Sequence, residues 1–211
     1  MGTPDGPRHL RRRAAELARL HGRMRRCRRC LALGCHIVPP AICAGSIGAR
    51  IMIVGQAPGA REVEAGRPFH AQSGTRLFQW LGRAGFDEAE FRMRQYMTSV
   101  TKCYPGKAPG SGDRRPSPIE VEACRPFLEA QLALIEPTLV IPVGKLAIDW
   151  FFPDRPPLAR VVGQRHVIDG RVLIPLPHPS GASRWHQFPQ NRKRIERAIR
   201  LIERERLRLG A

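Results

Sequence analysis

The chain has 211 residues, 42% of them apolar, so a single domain with a sizeable core is expected, and disulfide staples are not needed at this size. Glycine and proline are frequent but aperiodic, which excludes a collagen-like fibre, and no apolar run is long enough to form a transmembrane helix. The net charge of +18 favours a polyanionic partner. The arginine-rich N-terminus lacks the apolar segment of a secretory signal, which points to the cytoplasm.

Residues 8–26 place Leu10, Ala14, Leu17, Ala18 and Leu20 at helical spacing, with a basic opposite face. Residues 1–26 are therefore read as a basic N-terminal helix or arm, and 27–211 as the α/β domain. Residues 27–48 are rich in Cys, Pro and Gly and read as irregular. Residues 50–54 form a short apolar run ending in Gly55, the mark of a strand buried on both faces. A loop, Gly55-Gln-Ala-Pro-Gly59, follows, then a helix over 73–84. A second strand is expected over 95–102, then a Gly/Pro/Arg loop over 104–116.

Ser117-Pro118-Ile119-Glu120 is a capping box with proline at the first helical position. The helix it starts runs towards Glu136, past Pro126, where a bend is expected. Residues 138–143 are a third buried strand and 145–152 a short helix. Residues 160–176 suggest a hairpin turning at Asp169-Gly170. The loop 177–180 and a basic helix over 190–208 complete the chain. Alternating strands and helices predict a three-layer α/β/α sandwich around a mostly parallel sheet of about four strands. In such sheets, sites form where strand C-termini open into loops, here 55–72, 103–116 and 177–188. No nucleotide-binding glycine motif is present.

The charge is uneven. Residues 1–30 carry a net +8 and residues 184–208 a net +6, leaving little for the middle. Such concentration fits counterion release on binding nucleic acid. Of the six cysteines, Cys27 and Cys30 form a CxxC, and four thiolates would suit zinc or an iron–sulfur cluster. Cys35 and Cys43 read as small apolar residues.

Four motifs occur in order: Gly55-Gln-Ala-Pro-Gly59 with Gly66-Arg-Pro-Phe69 and Ser73-Gly74; Thr98-Ser-Val-Thr-Lys-Cys103; Ala123-Cys-Arg-Pro-Phe-Leu128; and Gly163 through His166 and Gly170 to His178-Pro-Ser180. Over roughly residues 24–200 this pattern resembles the uracil-DNA glycosylase superfamily, and within it the iron–sulfur (family 4) branch, with an atypical first motif.

The resemblance implies a monofunctional glycosylase that acts as a monomer on DNA containing uracil or another damaged base. A catalytically weak or inactive DNA-binding member of the same fold is the alternative. A [4Fe–4S] cluster on Cys27, Cys30, Cys103 and Cys124 is implied as a structural element, with zinc as the rival. Glycosylases flip the target nucleotide into a pocket. The resemblance makes Phe69 the stacking floor, Gly55, Ala57, Pro58 and Gly59 pocket wall, and Ser99 the reader of the base edge. It gives His178 the charge of the departing base, and Glu62 or Gln56 the attacking water. Ser180, Gly181, Arg184 and Trp185 are the expected DNA contacts.

Three positions depart from the family pattern. Ser99 stands where many members have Asn, Val63 where an acid is usual, and Gln56 where family 4 usually has Glu. The nucleophilic histidine of the covalent-binding branch is absent from 104–116, so turnover is expected.

Overall fold

The computed structural model describes residues 6–110, 112–180 and 185–211. Among these, the sheet has five strands in the order β2-β1-β3-β5-β4. They are β1 (Ile51–Gly55), β2 (Tyr96–Ser99), β3 (Leu139–Pro142), β4 (His166–Ile168) and β5 (Arg171–Leu173). The β1 strand pairs in parallel with β2 and β3, and β3 with β5, while β4 runs antiparallel at the edge.

Every residue of β1, β2 and β3 is buried, as a sheet covered on both faces requires. One face is covered by α4 (Gln72–Arg83), α5 (Glu88–Arg94) and α9 (Pro189–Leu209). Their Leu77, Leu81, Phe91, Ile195, Ile199 and Ile202 pack with Ile51, Ile53 and Ile141. The other face carries α1 (Pro7–Arg26) and α6 (Pro118–Ile135), whose Leu17, Leu20, Met24, Leu128 and Leu132 pack with Met52, Val54 and Val140. The expected three-layer α/β/α sandwich is what forms.

The details differ from the sequence reading in four places. The sheet has five strands rather than about four, because the 160–176 segment contributes two short ones. Their turn is at Asp169-Gly170, both with positive φ, as a tight hairpin demands. The start of that segment is instead a one-turn helix, α8 (Leu158–Val161). An unanticipated helix, α5, is started by Asp87, whose side chain accepts from the Glu90 N–H at 2.9 Å. The 55–72 loop contains α3 (Ala60–Ala65), and Arg29–Ala32 forms a one-turn α2 inside the stretch read as irregular. The α6 helix begins at the expected capping box and runs through Pro126.

The basic face of α1 is exposed, but the helix is anchored. Arg13 pairs with Glu136 at 2.8 Å and donates to the Leu134 carbonyl. Helix α7 (Lys145–Phe151) follows β3. After β1 the chain places β2 on one side of it, then crosses to place β3 on the other. The C-terminal ends of these strands therefore border a crevice at the point where the connections reverse direction.

Candidate active site

A cavity of about 390 Å³ opens at that crevice. Its walls come from the turn after β1, the end of β2, the 105–114 loop and the His178 loop. Gly55, Gln56, Ala57, Pro58, Gly59, Glu62, Phe69, Ser99, His178 and Ser180 all line it, so the structure brings these sequence candidates together.

Phe69 lies against the floor where Gly55 has no side chain. A Cβ on Gly55 would come within 2.9 Å of the Phe69 ring. Phe69 itself has a φ of 50°, a conformation that costs a non-glycine residue about 1–3 kcal/mol and persists only when its surroundings impose it. Arg92 on α5 imposes it, donating to the Phe69 carbonyl at 2.6 Å and to that of Pro68 at 2.9 Å. Arg92 escaped sequence reasoning because its helix did.

His178 accepts the Ser180 backbone N–H at Nδ1, at 3.2 Å. In the neutral ring this leaves the proton on Nε2. Burial holds the His178 pKa below its ordinary value, against the opposing pull of Asp113 and Glu62. The ring is therefore a neutral Nε2–H donor near pH 7.

The cavity holds two carboxylates of different standing. Glu62 is 6% exposed and is bound by three backbone N–H groups. Gly59 donates to Oε2 at 3.1 Å, and His70 and Ala71 donate to Oε1 at 3.2 and 3.0 Å. It ties both ends of the 59–71 segment together. Asp113 has one side-chain partner among the described residues, the Tyr104 hydroxyl, which donates to Oδ1 at 3.0 Å. Its Oδ2 lies 2.8 Å from where a Cβ on Gly59 would stand, so it faces the first-motif turn. Asp113 was missed by sequence reasoning. Its signal was present, as the sole acid between residues 104 and 116.

Ser99, expected to read the base edge, turns its hydroxyl back onto the Thr101 carbonyl at 2.6 Å. The Gln56 amide has no hydrogen-bond partner among the described residues and lines the cavity. Trp185 is half-buried, its ring packed against the core and its carbonyl held by the Asn191 amide at 2.9 Å. Nearby Phe188 stands 53% exposed. Gly181 and Arg184 lie outside the described residues.

Cys27, Cys30, Cys103 and Cys124 line a second, smaller cavity between α1, α6 and the segment after β2. Burial and the neighbouring Cys124 and Cys30 push the Cys103 thiol up to about 12. Burial, Cys124, Cys35 and Cys27 push Cys30 to about 11. Neighbouring sulfurs thus add to burial in disfavouring the Cys30 and Cys103 thiolates, a cost that a cationic centre would relieve. Thr101 Oγ1 beside them is buried with no partner among the described residues. No three Cys, His, Asp or Glu side chains among the described residues are close enough to share a single metal ion.

The pattern of the uracil DNA glycosylase superfamily matches residues 43–201. A type-4 uracil-DNA glycosylase of Thermotoga maritima is 31% identical over 74% of this chain and 78% of its own length. One from Pyrobaculum aerophilum is 38% identical over 49% of this chain and 48% of its own. One from Sulfurisphaera tokodaii is 29% identical over 64% and 61%.

The chain belongs to the uracil-DNA glycosylase superfamily. The matched span takes in every residue lining the cavity except Ile42, and begins after the CxxC. Within that span Gln56, Ser99 and Asp113 all line the cavity.

Proposed function

We propose that the chain is a monofunctional DNA glycosylase that hydrolyses the N-glycosidic bond of uracil, or of a related deaminated base, in DNA. The observation that carries this is the convergence of a stacking ring, a neutral imidazole donor and an accessible carboxylate on one cavity at the crevice of the sheet. The flipped base stacks on Phe69. As the bond from C1′ to the base breaks, its electron pair leaves with the base, whose O2 gains negative charge. His178 Nε2–H donates to that oxygen, a bond that strengthens as the charge develops. The sugar becomes cationic, and the carboxylates of Asp113 and Glu62 stabilise it. Asp113, with a free oxygen, orients water and takes its proton as the oxygen adds to C1′. The products are the free base and an abasic site. Among the described residues that line the cavity there is no lysine to form a Schiff base.

The pocket reads the base edge differently from the usual asparagine. With the Ser99 hydroxyl held by Thr101, Gln56 is the side-chain amide available to it. Duplex contacts are assigned to Ser180, Gly181, Arg184 and the exposed Phe188. The basic faces of α1 and α9 add sequence-independent phosphate contacts.

The four cysteines suit a [4Fe–4S] cluster better than zinc. The family resemblance favours the cluster, and all four cysteines line one buried cavity, as a cluster held by four thiolates requires. Cys27, Cys30, Cys103 and Cys124 would hold it, Thr101 Oγ1 would find a sulfur acceptor, and the cluster would supply a structural cross-link. Purified without oxygen, the protein is expected to be brown, with one cluster's iron per chain.

The test is incubation with oligonucleotides carrying uracil, hypoxanthine, xanthine or a thymine mismatch, followed by alkali. Strand cleavage at uracil is expected. Cleavage at none of them would leave the non-catalytic reading.

A further inference from the structure

Lys102 is among the most completely buried side chains of the protein, 1% exposed, yet it lines the thiolate cavity and takes no part in the chemistry above. It touches both sites. Its backbone N–H donates to Cys124 Sγ at 3.3 Å. Its Nζ donates to the Ser99 carbonyl and, at 3.1 Å, to Thr98 Oγ1, and both residues line the base cavity.

The bonds beyond it run in one direction. Thr98 Oγ1 accepts from Lys102 and so donates to Gln131 Oε1 at 3.0 Å. Gln131 Nε2 donates to the Tyr96 hydroxyl at 2.8 Å, which lies 2.6 Å from His21 Nε2 on α1. An ammonium has only donors, so it fixes the polarity of the bonds from Thr98 through Gln131 to Tyr96. Burying it is costly unless its partners are fixed in place, and here they are the last two residues of β2.

We propose that Lys102 is a positioning residue that couples the four-cysteine site to the floor of the base pocket. This rests on the glycosylase reading and on those cysteines holding a cluster. Its side chain holds the end of β2 at one height, and its main chain is fixed by a cluster-binding sulfur.

The experiment compares wild type with Lys102→Met, which keeps the length and loses the donors, and Gln131→Met, which breaks the relay beyond Thr98. Iron content, affinity for undamaged DNA and single-turnover excision of uracil are measured. So is the visible circular dichroism of the cluster on adding DNA that carries 2′-fluoro-2′-deoxyuridine, which binds but resists cleavage. Lys102→Met is expected to keep its iron and its DNA affinity and to excise about tenfold or more slowly, because a small misplacement of the floor misaligns the base. Wild type is expected to show a dichroism change, which should vanish in Lys102→Met and shrink in Gln131→Met. A Lys102→Met protein that excises at the wild-type rate or keeps the dichroism change overturns the inference. If that variant does not fold, a Gln131→Met protein unchanged in both readouts overturns it. Wild type that excises uracil without binding iron also overturns it, whereas wild type that excises nothing overturns the glycosylase reading instead.

Discussion

Glu62 and Asp113 stand in the same cavity and differ in what holds them. Glu62 closes the first-motif segment on itself through three main-chain donors. Asp113 arrives from the far side on a loop of glycines and prolines, restrained by one phenol. A carboxylate with three amide partners is part of the backbone architecture, and its electron pairs are largely occupied. One with a single partner can accept from water. The comparison assigns Glu62 chiefly to stability and Asp113 chiefly to chemistry, although the family resemblance alone points first to Glu62.

Asp113→Ala should separate the two roles most sharply. Losing the group that takes the water proton should slow single-turnover excision by about 10²-fold or more, with little change in melting temperature. Tyr104→Phe leaves Asp113 charged but unrestrained. Losing one such hydrogen bond costs about 1 kcal/mol, so a several-fold slower rate is expected. Glu62→Gln should act in the opposite sense. It weakens bonds from buried amides to a charged acceptor, so it should cost about 1–3 kcal/mol and lower the melting temperature by several degrees. Its excision rate at a temperature where it is folded should fall far less than that of Asp113→Ala. A Glu62→Gln protein with wild-type stability and a collapsed rate would reverse the assignment.

The pH dependence sharpens the same comparison. The His178 pKa is held below the ordinary histidine value near 6.5, so the unfolded chain takes up that proton first as pH falls. Its contribution to stability is therefore full above about 6.5 and lost as pH drops through the depressed value. A proton on Nδ1 would also meet the Ser180 N–H, so excision should decline over the same range. Asp113→Ala removes one of the two carboxylates that raise this pKa and should move the acid limb lower still. The smallest effect is expected from Ser99→Asn. The wild-type hydroxyl faces Thr101 rather than the base, so uracil excision should change only a few-fold.

The sequence made the frame readable because β1, β3 and the α6 capping box are strong local signals. The motifs from Gly55 to His178 also name most of the cavity. What stayed hidden depends on pairing through space. Asp113 becomes a pocket residue only when its loop folds over Gly59. Ser99 is drawn away by a carbonyl two residues on, a choice set by the bend after β2 and not by residue type. Trp185 reads as a wedge in the chain, and the structure adds that its ring is half-buried against the core, while Arg92 holds the left-handed backbone of Phe69. The hairpin was legible in its Asp169-Gly170 turn, whereas α5 and α8 were too short for periodicity to show.

The role of His178 is tested most directly by single-turnover excision from single-stranded uracil DNA by His178→Ala beside wild type, with binding measured on the same substrate. Binding should be nearly unchanged and the rate lower by about 10²–10³, the usual consequence of removing one donor to a developing anion. Equal rates would contradict that role, and would mean that the charge of the departing base is met elsewhere.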